Sequence, residues 1–111
     1  MNQFEYWKMR LETFIDDSKL EKFDLLDDFR DRINKGQLYP ETAFITITAE
    51  LMGPTLKQFG LHTSDYASLF KVARDDEEFT MTKAKTVIRL IKRVGIKSAL
   101  NNYAALDTPG F

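Results

Sequence analysis

The stretch PETAFITITAELMGP, residues 40–54, decides the fold. Its centre, Phe44-Ile45-Thr46-Ile47-Thr48, alternates like a strand and is rich in β-branched residues. The ends argue the other way. Pro40 suits the first turn of a helix, where its missing N–H costs nothing, and Gly53-Pro54 reads as a helix stop. Ala43, Phe44, Ile47 and Leu51 share one helical face, while Thr42, Thr46 and Glu50 lie on the other. The stretch is therefore read as a helix from Pro40 to Met52, packed centrally. No convincing strand pair stands elsewhere in the chain.

Working toward the N-terminus, Phe4, Trp7, Leu11, Phe14 and Ile15 recur at a helical period, so a helix is expected over residues 2–16. Ser18, with Glu21 three residues on, has the capping-box pattern for a second helix ending near Asn34-Lys35-Gly36. Gly36 suits a left-handed position after that end. The short break between the two predicts an antiparallel hairpin. Toward the C-terminus, Pro54–Phe59 reads as a short separate helix closed by Gly60. Thr63 or Ser64 then caps a helix through Tyr66, Leu69, Phe70 and Val72 to Arg74. Thr80 or Thr82 caps another over Lys83–Val94, and Gly95 ends it. A last helix runs from Ile96 to about Leu106. The expectation is an all-α, compact, single-domain bundle of five to seven helices over residues 1–106, with a tail at 107–111. Its core should contain Trp7, Leu11, Phe14, Phe23, Leu26, Phe44, Ile47, Leu51, Leu69, Ile88 and Ile91.

Composition agrees. The chain has 111 residues, enough for one domain, and is 43% hydrophobic and 30% charged, as globular chains are. It has no Cys, which excludes a disulfide scaffold, a thiolate zinc site and a Cys nucleophile. The longest uncharged stretch, Ser98 to Leu106, is too short to span a bilayer. Glu5, Lys8 and Arg10 interrupt any secretory signal at the N-terminus. A cytoplasmic protein without a membrane partner is expected.

Catalytic chemistry has little to work with. His62 is the only His, so a His-based metal site or triad would need other donors. Adjacent acids such as Asp16-Asp17 and Asp27-Asp28 point about 100° apart on a helix and form no dyad by themselves. No phosphate-binding or dinucleotide loop, nucleophile elbow or zinc-protease signature occurs. The expectation is a non-enzyme with no cofactor, no metal and no evident small-molecule substrate.

Charge is the feature that points to function. Net charge is −1, but residues 1–34 carry −3, Asp75-Asp76-Glu77-Glu78 carry −4, and residues 83–111 carry +5. Asp17, Glu21, Asp24, Asp28 and Asp31 form one stripe on the second helix, with Arg32 as partial relief. Near the C-terminus Lys85, Arg89, Lys92 and Arg93 share one face, opposite Ala84, Val87, Ile88, Ile91 and Val94. Lys97 extends the basic run. Either stripe suits a partner of opposite charge. Two segments, Thr55–Arg74 and Leu90–Leu106, have a helix–turn–helix outline. In the second, Ser98, Asn101 and Asn102 could reach phosphates or bases. Ile91 and Asn101 stand where that outline usually has a small and an apolar residue, and Leu56 and Tyr66 hold those places in the first. The leading reading is a regulatory interaction module of the inhibitor, immunity or adaptor kind, binding a protein partner or a second copy of itself through charged helix faces. The alternative is a nucleic-acid-binding regulator using the C-terminal corner.

Overall fold

The structure is a computed structural model that describes residues 1–16, 21–36 and 38–104. Six helices follow one another among them: α1 (Gln3–Ile15), α2 (Lys22–Asn34), α3 (Pro40–Gln58), α4 (Thr63–Ala73), α5 (Met81–Val94) and α6 (Ile96–Asn101). No strand occurs among the described residues. The fold is a compact all-α bundle; its Cα radius of gyration is 13.9 Å, close to the value of about 13 Å expected for this length.

The deciding stretch is helical, and α3 is the axis of the bundle: it packs against α1, α2, α4 and α5. Pro40 opens it as expected. Gly53-Pro54 does not close it, so the predicted stop and the separate helix over Pro54–Phe59 are both corrected. Pro54 removes one hydrogen bond, to the Glu50 carbonyl, and both residues are exposed, where water replaces a lost bond most cheaply. Buried Met52 and Leu56 on either side of Pro54 hold the helix to the core. The true stop is Gly60, at φ +70°. There the Leu61 N–H donates to the Leu56 carbonyl at 2.8 Å and the Gly60 N–H to the Lys57 carbonyl at 3.1 Å, a Schellman arrangement.

The buried side of α3 follows Phe44, Thr48, Met52 and Leu56. A spacing of four drifts about 40° per step around a helix. Leu51, expected in the core, therefore ends at the edge of the buried side and is half-buried. Polar Thr48 is accommodated because its hydroxyl donates to the Phe44 carbonyl at 2.8 Å and accepts from the Tyr66 hydroxyl at 2.6 Å. Burial pushes the Tyr66 phenol above its ordinary pKa, partly offset by Thr48 and by the charge of Arg10.

Trp7, Phe44 and Phe70 join α1, α3 and α4 through ring centroids 5.2–6.1 Å apart. Phe4, early in α1, meets Phe29, in the second half of α2, as an antiparallel pair requires. Trp7, Leu11, Phe14, Phe44, Ile47, Leu69, Ile88 and Ile91 are buried as expected. Phe23 is not: it is 77% exposed. The inward face of α2 centres on Phe29 and Ile33, with Leu25 and Leu26 beside them, and Phe23 lies about 120° around the helix from Phe29. Leu26 is half-buried. Val72 and Val94, at 42% and 46% exposure, also face outward.

Several boundaries move. Helix α2 starts at Lys22, with Glu21 as its N-cap; Ser18 lies outside the described residues. Gly36 is not left-handed. Its reason is space, since a Cβ there would stand 2.8 Å from the Arg32 carbonyl oxygen. His62, rather than Thr63 or Ser64, is the N-cap of α4, and its N–H donates to the Asp65 carboxylate at 2.8 Å. Thr80 caps α5 by accepting from the Lys83 N–H at 3.1 Å. Gly95, at φ +89°, ends α5 and begins α6. Helix α6 stops at Asn101, short of the expected Leu106, because the Asn102 amide turns back to the Ser98 carbonyl at 2.8 Å. The tail at 107–111 lies outside the described residues.

Candidate functional site

Helix α5 is sharply two-faced. Met81, Ala84, Val87, Ile88 and Ile91 are buried, so the inner face is wholly committed to the core. The outer face carries Arg89, Lys92 and Arg93, all exposed, and half-buried Lys85. Seven residues at 1.5 Å each put Lys85 and Lys92 about 10 Å apart along the axis. Exposed Lys97 continues the run onto α6. Among the described residues no carboxylate pairs with any of these five cations. Beyond Arg93 the α5–α6 corner forms an open groove of about 520 Å³, lined by Val94, Gly95, Ile96, Lys97, Ser98, Asn101 and Asn102. Gly95 makes the corner by taking a backbone conformation that side-chain-bearing residues avoid.

The acidic stripe is differently placed. Asp17 lies outside the described residues. Glu21, Asp24 and Asp31 are exposed. Asp28 accepts from Arg32 Nε at 2.9 Å, and the same guanidinium grips Glu50 of α3 with bonds of 2.7 and 2.9 Å. Those bonds, Glu50 first and Asp28 second, raise the Arg32 pKa above its ordinary value. Lys35 stands 3.8 Å from Asp31. Asp28 thus holds the Arg32 that clamps α2 to α3, and Glu21 and Asp24 are the open part of the stripe. No ion pair joins the stripe to the basic face within the chain among the described residues.

Two polar centres went unread in the sequence. Arg10 is fully buried. Its guanidinium donates to the Tyr6 hydroxyl at 2.9 Å and to the carbonyls of Arg74 and Ala73 at 2.5 and 3.1 Å. It also lies 5.1 Å from the Trp7 ring centroid. A cation therefore sits at the C-terminal end of α4, where the helix dipole favours it. The signal was available, since Arg10 falls between Trp7 and Phe14 at spacings of three and four, on the apolar side of α1. The second centre is Asp76. It accepts from Lys83 Nζ at 2.7 Å and from the Tyr103 hydroxyl at 2.6 Å, tying the α4–α5 connection to the turn after α6. Burial works against its charge, but the bonds from Lys83, Tyr103 and the Glu78 N–H outweigh that and hold its pKa below the ordinary aspartate value. The acidic run 75–78 is thus in part structural. Arg74 is bonded to Glu41 of α3, which raises the Arg74 pKa.

His62 is exposed at the start of α4 and serves the helix end. Among the described residues no three His, Asp or Glu side chains gather as ligands of a metal would. No helix among them is long and apolar enough to cross a membrane. The sequence matches no protein-family model, and no curated protein and no solved structure is significantly similar to it.

Proposed function

We propose that this protein is a non-enzymatic cytoplasmic interaction module, of the regulator, inhibitor or adaptor kind, that binds an acidic protein surface through the outer face of α5 and the start of α6. The observation that carries the reading is the absence of any counter-ion for Lys85, Arg89, Lys92, Arg93 and Lys97 among the described residues. Five cations held along α5 and the start of α6, with no carboxylate partner among the described residues, give steering and register to a partner of opposite charge. The open corner beside them supplies Ser98 and Asn101 as neutral hydrogen-bonding groups.

Nucleic acid is the less favoured ligand. A recognition helix lies along the major groove, and α6 has six residues, about 9 Å of helix. The Asn102 amide is engaged with the Ser98 carbonyl instead of being offered outward. The test compares binding of poly-glutamate and of duplex DNA at about 50 and 200 mM salt. The expected result is poly-glutamate binding lost in the Arg89→Glu, Lys92→Glu chain, with a weaker response to DNA. DNA binding that exceeds poly-glutamate binding and falls steeply with salt would replace the protein partner by nucleic acid. No binding of either would remove the basic face from the account.

A further inference from the structure

We infer that the acidic surface which the α5 face takes is α2 of a second copy of this chain, an inference that rests on the reading of α5 as a binding face. The two helices match in register. Lys85, Arg89 and Lys92 are spaced four and three. Asp24, Asp28 and Asp31 have the same spacing in chain order, and Asp28, Asp24 and Glu21 have it in reverse. On both helices these positions form a single stripe. The stripes therefore align over about 10 Å whichever way the helices run.

Among the described residues the two stripes do not pair within one molecule. Helix α2 packs on α1 and α3, whereas α5 packs on α3 and α6, and no ion pair crosses between the stripes among the described residues. Each copy thus presents an acidic face and a basic face on separate elements. The net charge of −1 leaves no overall repulsion between copies, so the local attraction decides. Glu21 and Asp24 are exposed and form no ion pair among the described residues, and they supply the acceptors. Asp28 and Asp31, held by Arg32 and Lys35, contribute less. The contact is heterologous: the basic face of one copy meets the acidic face of the next. It closes into a dimer or small ring where the rotation allows, and extends otherwise.

Charge reversal on each side tests this on the full chain. One variant carries Arg89→Glu and Lys92→Glu; the other carries Glu21→Lys and Asp24→Lys. Circular dichroism verifies that each folds, and Gln in place of Glu or Lys serves as the milder version. Sedimentation equilibrium should give the unaltered chain a mass at least twice 12.9 kDa at low salt, falling to 12.9 kDa at high salt. Either variant alone should stay at 12.9 kDa. Their equimolar mixture should regain the larger mass, because acidic α2 of the first meets basic α5 of the second and the reversed faces meet likewise. An unaltered chain that stays monomeric at low salt overturns the inference. So does self-association that survives both reversals, or a mixture that stays monomeric. A monomeric chain that still binds poly-glutamate through α5 refutes the second copy as partner and keeps the binding face. A chain that does neither refutes both.

Discussion

Replacing Arg10 tests whether a cation buried with no carboxylate partner among the described residues holds this bundle together. The perturbation is Arg10→Met, which keeps the volume and removes the charge. Arg10 is fully buried and makes three hydrogen bonds, to Tyr6, Ala73 and Arg74. Hydrogen bonds from charged groups contribute about 1.5–3 kcal/mol each, so the gross gain is several kcal/mol. Against it stands the desolvation of the guanidinium, also several kcal/mol, with Nε left without a partner. Two further contributions tip the balance. The end of α4 favours a cation by up to about 2 kcal/mol in a partly buried setting. The rings of Trp7, Tyr6 and Phe44, with centroids 5.1, 5.7 and 5.8 Å from the guanidinium carbon, add the attraction of their π faces. The expected net loss is about 2–4 kcal/mol. Arg10→Lys should lose about as much despite keeping the charge, because an ammonium cannot span Tyr6 and both carbonyls. Urea unfolding followed by far-ultraviolet circular dichroism gives the numbers, with fluorescence of the buried Trp7 as a second probe. An Arg10→Met chain as stable as the parent, or more stable, would refute the reasoning: desolvation would then outweigh the hydrogen bonds.

Pro54→Ala should move stability the other way. It restores a donor for the Glu50 carbonyl inside α3, and with the gain in unfolded-chain freedom subtracted the expected rise is about 1–2 kcal/mol; a lower thermal midpoint would show that the helix needs its proline. Asp76→Asn should lose about 1–2 kcal/mol at neutral pH as the Lys83 pair goes and the Tyr103 bond weakens. Because the folded Asp76 carboxyl titrates below its unfolded value of about 3.9, its stabilisation is complete above that pH and is lost as pH falls through the folded value. The parent chain should therefore lose stability more steeply than Asp76→Asn below about pH 4, and parallel acid-unfolding curves would discard Asp76 as a latch.

The fold was legible where one local rule acted alone. The period of Trp7, Leu11 and Phe14 places α1, and Thr80 and Gly95 mark the ends of α5. It was misread where local punctuation met tertiary packing. Gly53-Pro54 is a stop by propensity, yet Met52 and Leu56 bury enough apolar surface on either side to carry the helix past it. Phe23 shows a different failure. Its hydrophobicity assigned it to the core, but the buried side of α2 is fixed by what α1 and α3 offer to Phe29 and Ile33. Arg10 was overlooked because its acceptors, Tyr6 aside, are backbone carbonyls more than 60 residues away, and only the assembled bundle brings them within reach.

The two charged stripes were equally visible in the sequence and turn out unequal in the structure, for reasons that bear on how they can be tested. A stripe is free only if nothing else in the fold answers it, and its own helix does not say so. Arg32 reaches both Asp28 on α2 and Glu50 on α3, so reversing Asp28 would disturb the α2–α3 clamp as well as any partner. A loss of binding in such a variant would have two explanations. Only Glu21 and Asp24, at the open end, separate the two effects. On α5 the separation is built into the helix, because the core takes Met81, Ala84, Val87, Ile88 and Ile91 and leaves Arg89, Lys92 and Arg93 to solvent. Exposed charges seldom contribute more than about 1 kcal/mol to stability. Reversal of Arg89 and Lys92 therefore reports on partners alone, and the basic face is where an experiment on function should begin.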